Sequence, residues 1–135
     1  MKKFELTSEF VTFLGKKLFR IKALISFGNV EEGELGGYVE KEENLSNDGN
    51  AWVCGDARVY GNADYATVHG FGSEYRTTTF FRTKAGDIGV RCGCFYGTLD
   101  DFRKKVKETH GDSKTAKEYL MVADLMEFRF SEEEV

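Results

Sequence analysis

Leu45-Ser-Asn-Asp-Gly49-Asn50, Ala51-Trp-Val53-Cys-Gly55-Asp56, Ala57-Arg-Val59-Tyr-Gly61-Asn62 and Ala63-Asp-Tyr65-Ala-Thr-Val68 follow one another with a period of six. Each hexad opens on an apolar residue, and the first three close on Gly-Asn or Gly-Asp. Hexapeptide periodicity belongs to parallel β-helices, in which each six-residue side is a short strand ending in a corner. Gly supplies the backbone angles of the corner, and Asp or Asn hydrogen-bonds its own backbone there. Because strand side chains alternate, Leu45, Ala51, Val53, Ala57 and Val59 are expected to line an axis.

A left-handed triangular coil takes three such sides, about eighteen residues. The hexads therefore supply one coil and part of a second, and the flanking segments must cap the open ends. The expected fold is mainly β, of α+β class. Residues 1–68 form an N-terminal β-hairpin and a short left-handed parallel β-helix stub; residues 69–135 form a small C-terminal ββαα(β) unit packed on it.

The flanking segments are read in the same way. Phe4-Glu-Leu6, Phe10-Val-Thr-Phe13 and Leu18 to Phe27 alternate around a turn at Gly15-Lys-Lys17, which predicts a strand pair. Val39 lies six residues before Leu45, in phase with the repeat, and adds one strand. His69-Gly-Phe-Gly-Ser73 breaks the period and reads as a linker. Glu74 to Thr83 and Asp87 to Phe95 read as strands joined by Lys84-Ala-Gly-Asp87. Thr98-Leu-Asp-Asp101 has capping-box spacing and opens a helix that stops at His110-Gly111, with Leu99, Phe102 and Val106 as its apolar stripe. A second helix is expected from Ser113 to about Leu125. Met126-Glu-Phe128-Arg-Phe130 alternates like a last strand.

A chain of 135 residues with 41% apolar residues holds one core of ordinary composition. No apolar run is long enough to cross a bilayer, and Met1-Lys-Lys-Phe4 is followed by no apolar stretch of the secretory kind. Three cysteines imply no disulfide framework, so a cytoplasmic setting is expected. The net charge of −4 is unevenly spread: residues 1–28 carry six basic and two acidic groups, residues 29–50 one basic and seven acidic. Glu31, Glu32, Glu34, Glu40, Glu42, Glu43 and Asp48 are either a solvated face or an acidic patch for a basic partner. Direct nucleic-acid binding is not expected, because phosphate contacts need clustered Lys and Arg.

Glu34-Leu-Gly-Gly-Tyr-Val-Glu-Lys-Glu-Glu-Asn-Leu-Ser46, with Gly49-Asn-Ala-Trp-Val53 and Gly55-Asp-Ala-Arg-Val-Tyr-Gly-Asn-Ala63, resembles the polymer-forming left-handed β-helix repeat proteins of phages and prophages. Ile88-Gly-Val-Arg-Cys-Gly-Cys-Phe-Tyr-Gly-Thr-Leu-Asp-Asp-Phe102 and His110-Gly-Asp112 resemble the small domain that often follows such repeats. The resemblance covers nearly the whole chain and implies a phage-type protein in a bacterial host cell, with no catalytic residues to carry over. The chain has few hexads where such proteins often have many, which argues against a filament.

No catalytic, cofactor or metal site is assigned. Cys92-Gly-Cys94 with His69 and His110 is the only candidate metal site, but zinc ligands usually come as two spaced pairs and only one close pair is present, and both thiols continue the inward alternation of Ile88 and Val90. Cys54 occupies an outward position. His69 is the one candidate for an acyltransferase-like histidine, and a turn residue is the plainer reading. Trp52, Arg58 and Tyr60 stand at even, outward positions of the hexads. Aromatic and Arg side chains anchor interfaces, so either a partner or the protein's own flanking segments cover them. The expected function is a non-enzymatic module binding a host or phage protein, in concrete form an inhibitor of a bacterial defence system such as a CRISPR–Cas nuclease. A self-assembling or capping β-helix protein is the alternative, and a degenerate hexapeptide acyltransferase a remote one. With both ends capped, a monomer or closed dimer is expected.

Overall fold

The computed structural model describes residues 2–46, 50–61, 64–71, 76–92 and 95–131. It is mainly β with a C-terminal helical pair: two four-stranded sheets, ordered β1-β2-β3-β4 and β5-β6-β7-β8, precede two α-helices. The α+β class expected from the sequence is the class observed.

In the first sheet, β1 (Phe4–Phe13) and β2 (Lys16–Ala23) form the expected hairpin. Phe13 pairs with Lys16, so the turn is Leu14-Gly15, with φ of 51° and 76°. Two positive φ values define the type I′ turn, whose twist matches its flanking strands. β3 (Leu35–Val39) adds antiparallel to β2, and β4 (Arg58–Val59) adds parallel to β3, with Tyr38 opposite Arg58 and Val39 opposite Val59. Between them the chain passes a 3₁₀ turn (Glu42–Asn44) and the hexad segment, and returns alongside itself. Gly37 N–H donates to the Val53 carbonyl at 2.9 Å and Tyr38 N–H to Ala57 at 3.1 Å. Gly36 lets the strand approach this closely, since a Cβ there would sit 2.6 Å from the Val53 oxygen and 2.7 Å from both Ile21 Cγ1 and Trp52 Cζ2.

Among the described residues no stacked β-helix coils are shown, and β3–β4 is the one parallel pairing. Leu45, Ala51, Val53, Ala57 and Val59, expected to line an axis, are all buried. Trp52, Cys54 and Arg58, expected to point outward, are buried as well, so burial does not separate the two rows. Residues 51–54 pass between β3 and the second sheet, and Arg58 is covered by the rings of Tyr38 and Phe13. Trp52 N–H donates to Thr79 Oγ1 at 3.2 Å, and Lys84 N–H donates to the Asp56 carbonyl at 3.0 Å. Ala57 bridges to Thr83.

The second sheet is an antiparallel meander of β5 (Tyr65–Phe71), β6 (Arg76–Arg82), β7 (Ile88–Cys92) and β8 (Phe95–Thr98). β5 corrects two readings. It runs through residues 69–71, expected as linker, and it spans the expected boundary between 68 and 69. Residues 65–68 of the fourth hexad thus belong to this sheet's edge; a seven-residue strand pairing along β6 outweighs a glycine at position 70. Residues 72–75 lie outside the described residues, as do 93 and 94, beyond which β8 forms a strand of its own.

Helix α1 (Leu99–His110) has the expected capping box: Thr98 Oγ1 accepts from Asp101 N–H and Asp101 Oδ2 from Thr98 N–H, each at 3.2 Å. Gly111 closes it at φ 58°, and Leu99, Phe102 and Val106 are its buried stripe. Helix α2 (Lys114–Phe130) starts at the expected Ser113 cap but continues through the expected last strand. Met126 and Phe130 are four residues apart and buried with Val122 and Ala123, whereas Phe128, which a strand would place beside them, is 79% exposed. Five residues cannot separate a period of two from one of 3.6. Arg103 ties the helices together, reaching Asp124 at 2.9 Å and Glu127 at 2.8 Å.

Three layers result, with the second sheet in the middle. Its Phe80, Val90 and Phe95 face the helices, and its Phe81 faces the core of Phe4, Ile21, Val39, Trp52, Val53 and Val59. Arg91 reaches across to Glu34 at 2.9 Å and to the Asn29 carbonyl at 3.1 Å.

Candidate functional site

The outward face of the first sheet gathers aromatic rings and cations in one row. Arg20, Tyr38 and Arg58 are direct neighbours across β2, β3 and β4. The Arg58 guanidinium lies 4.7 Å from the Tyr38 ring centre and 5.8 Å from that of Phe13, and Arg20 lies 5.8 Å from Tyr38 on the other side. Tyr60 packs beside Phe13 at 6.4 Å, with Lys16 at 5.6 Å from its ring. The type I′ turn carries Phe13 and Lys16 to this end of the sheet, so the hairpin tip and β4 build the cluster together.

The charges are unevenly satisfied. Glu9 accepts from Tyr38 Oη at 2.9 Å and from Arg20 Nη1 at 3.1 Å. The hydrogen bond to Glu9 holds the Tyr38 phenol above its ordinary pKa, with burial and the Glu9 charge acting the same way. Arg58 donates through Nη1 to the backbone carbonyls of Asp56, at 2.9 Å, and Ala57, at 3.2 Å. Among the described residues it has no carboxylate partner, and its Nε is buried without an acceptor. A guanidinium held by ring faces and carbonyl dipoles keeps its field directed at whatever lies over the rings.

The sequence named Arg58 and Tyr60 for this surface and also Trp52. The structure keeps the first two together, Tyr60 half-buried and Arg58 beneath the rings. Trp52 is elsewhere: it is 1% exposed in the core, edge-on to Phe27 at 5.6 Å. Its indole packs against Phe27 and over Gly36 of β3, while its backbone N–H donates to Thr79 of the second sheet. Phe13, Lys16, Arg20 and Tyr38 were missed, although the excess of basic groups in residues 1–28 and the direct pairing of strands carried the signal.

The acidic residues do not form one patch. Glu31, Glu32 and Glu34 precede β3, while Glu40, Glu42 and Glu43 follow it, separated by a strand about 17 Å long. Glu34 is held by Arg91, and Glu42 pairs with Lys2 at 2.6 Å. Glu31, Glu32 and Glu43 are exposed. Asp48 lies outside the described residues.

The histidines and cysteines are dispersed. His69 Nδ1 lies 2.8 Å from Thr77 Oγ1, in a cleft of about 300 Å³ that Tyr65, Thr67, Ser46 and Asn50 complete. His110 stacks on Tyr119. Cys92 is half-buried against the helical core, where its Sγ accepts from Thr78 Oγ1 at 3.2 Å. Cys94 lies outside the described residues. Cys54, expected at the surface, is buried, and that burial pushes its thiol up to about 11. Among the described residues no group of three or more His, Cys, Asp or Glu is placed to hold a metal ion, and no helix is long and apolar enough to cross a membrane. Comparison with protein-family models, with curated proteins and with solved structures finds no match.

Proposed function

We propose that the chain is a non-enzymatic protein-binding module of phage or prophage type, and that the outward face of the first sheet is its contact surface. The observation that carries this reading is the Arg58 guanidinium, stacked on Tyr38 and Phe13 with no carboxylate of its own among the described residues. Lys16 and Arg20 flank it, so an acidic segment of a partner is the complementary chemistry. Tyr and Arg are the side chains that most often dominate binding energy. Glu31 and Glu32, exposed before β3, add an acidic site apart from this face, and Glu43 stands alone beyond the strand.

We further read the circuit from Val39 to Arg58 as a single left-handed hexapeptide coil, supported by its parallel return and its buried Ala and Val row. One coil serves as a rigid wedge rather than as a filament seed. The concrete activity is inhibition of a bacterial defence nuclease, in the cytoplasm of the host. The test is a pull-down from host lysate, followed by a DNA-cleavage assay with the nuclease recovered. The wild-type chain retains a defined protein, and Lys16→Glu with Tyr60→Ala loses it while keeping its melting temperature. Recovery of nothing above background, or equal recovery by the variant, sinks the reading.

A further inference from the structure

Phe10-Val-Thr-Phe13-Leu14-Gly-Lys16-Lys17-Leu-Phe19, the end of the first hairpin, holds six large apolar residues, two lysines and no acidic residue, in a chain of net charge −4. β3 pairs with β2 only as far as Phe19, so this end stands past the sheet it belongs to. Leu14 crowns it, 71% exposed at φ 51°, a backbone angle that a residue with a side chain adopts only at a cost. The strain brings the folded chain no burial in return, and strain of that kind points to function. We propose that the hairpin tip is a reversible membrane anchor, in which Leu14 enters an anionic lipid surface and Lys16 and Lys17 lie among its headgroups.

The placement of the two lysines selects the occupant. They are successive on β2 and so point to opposite faces of the hairpin. Lys16 Nζ stands 5.6 Å from the Tyr60 ring on one face, and Lys17 Nζ stands 4.4 Å from the Phe10 ring on the other. Both lysines are exposed, and neither meets a carboxylate among the described residues. Phe10 is 48% exposed. A protein seated on the outward face would meet Lys16 and leave Lys17 and Phe10 in water. A lipid surface surrounds the end of the hairpin and reaches both faces at once. A ring with an ammonium beside it suits the boundary of a bilayer, where the apolar stem lies inward and the charge stays with the headgroups. Glu9, the acidic residue nearest the tip in sequence, is taken up by Arg20 and Tyr38.

One leucine and the exposed part of a phenylalanine bury little, and two lysines attract headgroups only modestly. The anchor is therefore reversible, requires anionic lipid and weakens with salt. It is independent of the protein-binding reading, because Leu14 and Lys17 lie outside the row of Arg20, Tyr38 and Arg58.

The test is co-sedimentation of the full chain with vesicles of phosphatidylglycerol and phosphatidylethanolamine, beside vesicles of phosphatidylcholine alone. The wild-type chain goes down with the anionic vesicles, stays in solution with the neutral ones, and is released as sodium chloride is raised. Leu14→Asn, which suits the turn, lowers the partition about fivefold by removing the inserted side chain. Lys17→Glu, on the face turned away from Arg58, lowers it about tenfold by reversing one charge. Melting curves show both variants folded. A wild-type chain that stays in solution with anionic vesicles overturns the proposal, as does equal binding to both kinds of vesicle or a Leu14→Asn chain that binds like the wild type. A tip that ignores vesicles, while Leu14→Asn costs retention of a host protein, belongs to a protein interface, and that outcome overturns it too.

Discussion

Phe80 and Phe81 are adjacent on β6, both are 0% exposed, and they belong to different cores. Phe80 meets Phe102 of α1 edge-on at 5.9 Å, while Phe81 points the other way and stacks on Tyr96 at 6.3 Å, against the core of Trp52 and Val53. One strand therefore holds both halves of the molecule. Phe80→Ala and Phe81→Ala should each destabilise the chain by about 3–5 kcal/mol. Each should lower a single shared unfolding transition, followed by circular dichroism and by tryptophan fluorescence. Two separate transitions, with only one moved by each variant, would contradict a common middle layer.

Trp52→Ala should behave as a core truncation, lowering stability by about 3–5 kcal/mol, whereas Tyr60→Ala should shift it far less. Gly36→Ala should also destabilise, by roughly 1–3 kcal/mol, because the new methyl meets the Val53 carbonyl and the indole. Urea midpoints of the three variants decide whether the tryptophan is a structural wedge or a surface anchor.

Leu14 occupies the first central position of the hairpin turn at φ 51°, with its side chain 71% exposed. A leucine there is strained and buries little. Leu14→Asn, which gives the Asn-Gly pair favoured in this turn, should stabilise the hairpin by about 1 kcal/mol. A rise in melting temperature checks this, and a fall would show that Leu14 packs on something.

Burial raises the Cys54 thiol from 9.0 to about 11, so the folded chain holds the neutral form more firmly than the unfolded chain. The stabilisation this represents is complete below the unfolded value and is lost as pH rises from there to the folded one. Stability should therefore decline between about pH 9 and about pH 11, by at most roughly 2–3 kcal/mol from this group. The Tyr38 and Tyr96 phenols, also raised, add in the same direction: Tyr38 through its hydrogen bond to Glu9, Tyr96 through burial. Cys54→Ala should flatten the alkaline decline in urea midpoints, and an unchanged slope would assign it to the tyrosines.

Local signals were legible in the sequence where the physics is local. Thr98 and Asp101 close a capping box within three residues, Gly111 takes a backbone angle that other residues avoid, and Leu99, Phe102 and Val106 fall on one side of a helix by their spacing alone. The hairpin strands, the buried Ala and Val positions of the hexads and the α+β class follow from periodicity in the same way. What covers an outward position is not a local property. An even hexad position turns Trp52 away from Val53, but whether its indole meets water or Phe27 and Gly36 depends on segments brought alongside from elsewhere in the chain. The cluster of Phe13, Arg20, Tyr38 and Arg58 joins four strands, and strand partners are chosen by long-range pairing that no spacing in the chain encodes. Met126 to Phe130 fits two periods equally well, and only packing against the second sheet chose the helix. The sequence by itself determined the caps, the hairpin and the burial of the Ala and Val positions; the tertiary structure alone decided which of the other residues are surface, because burial depends on what the rest of the chain brings against them.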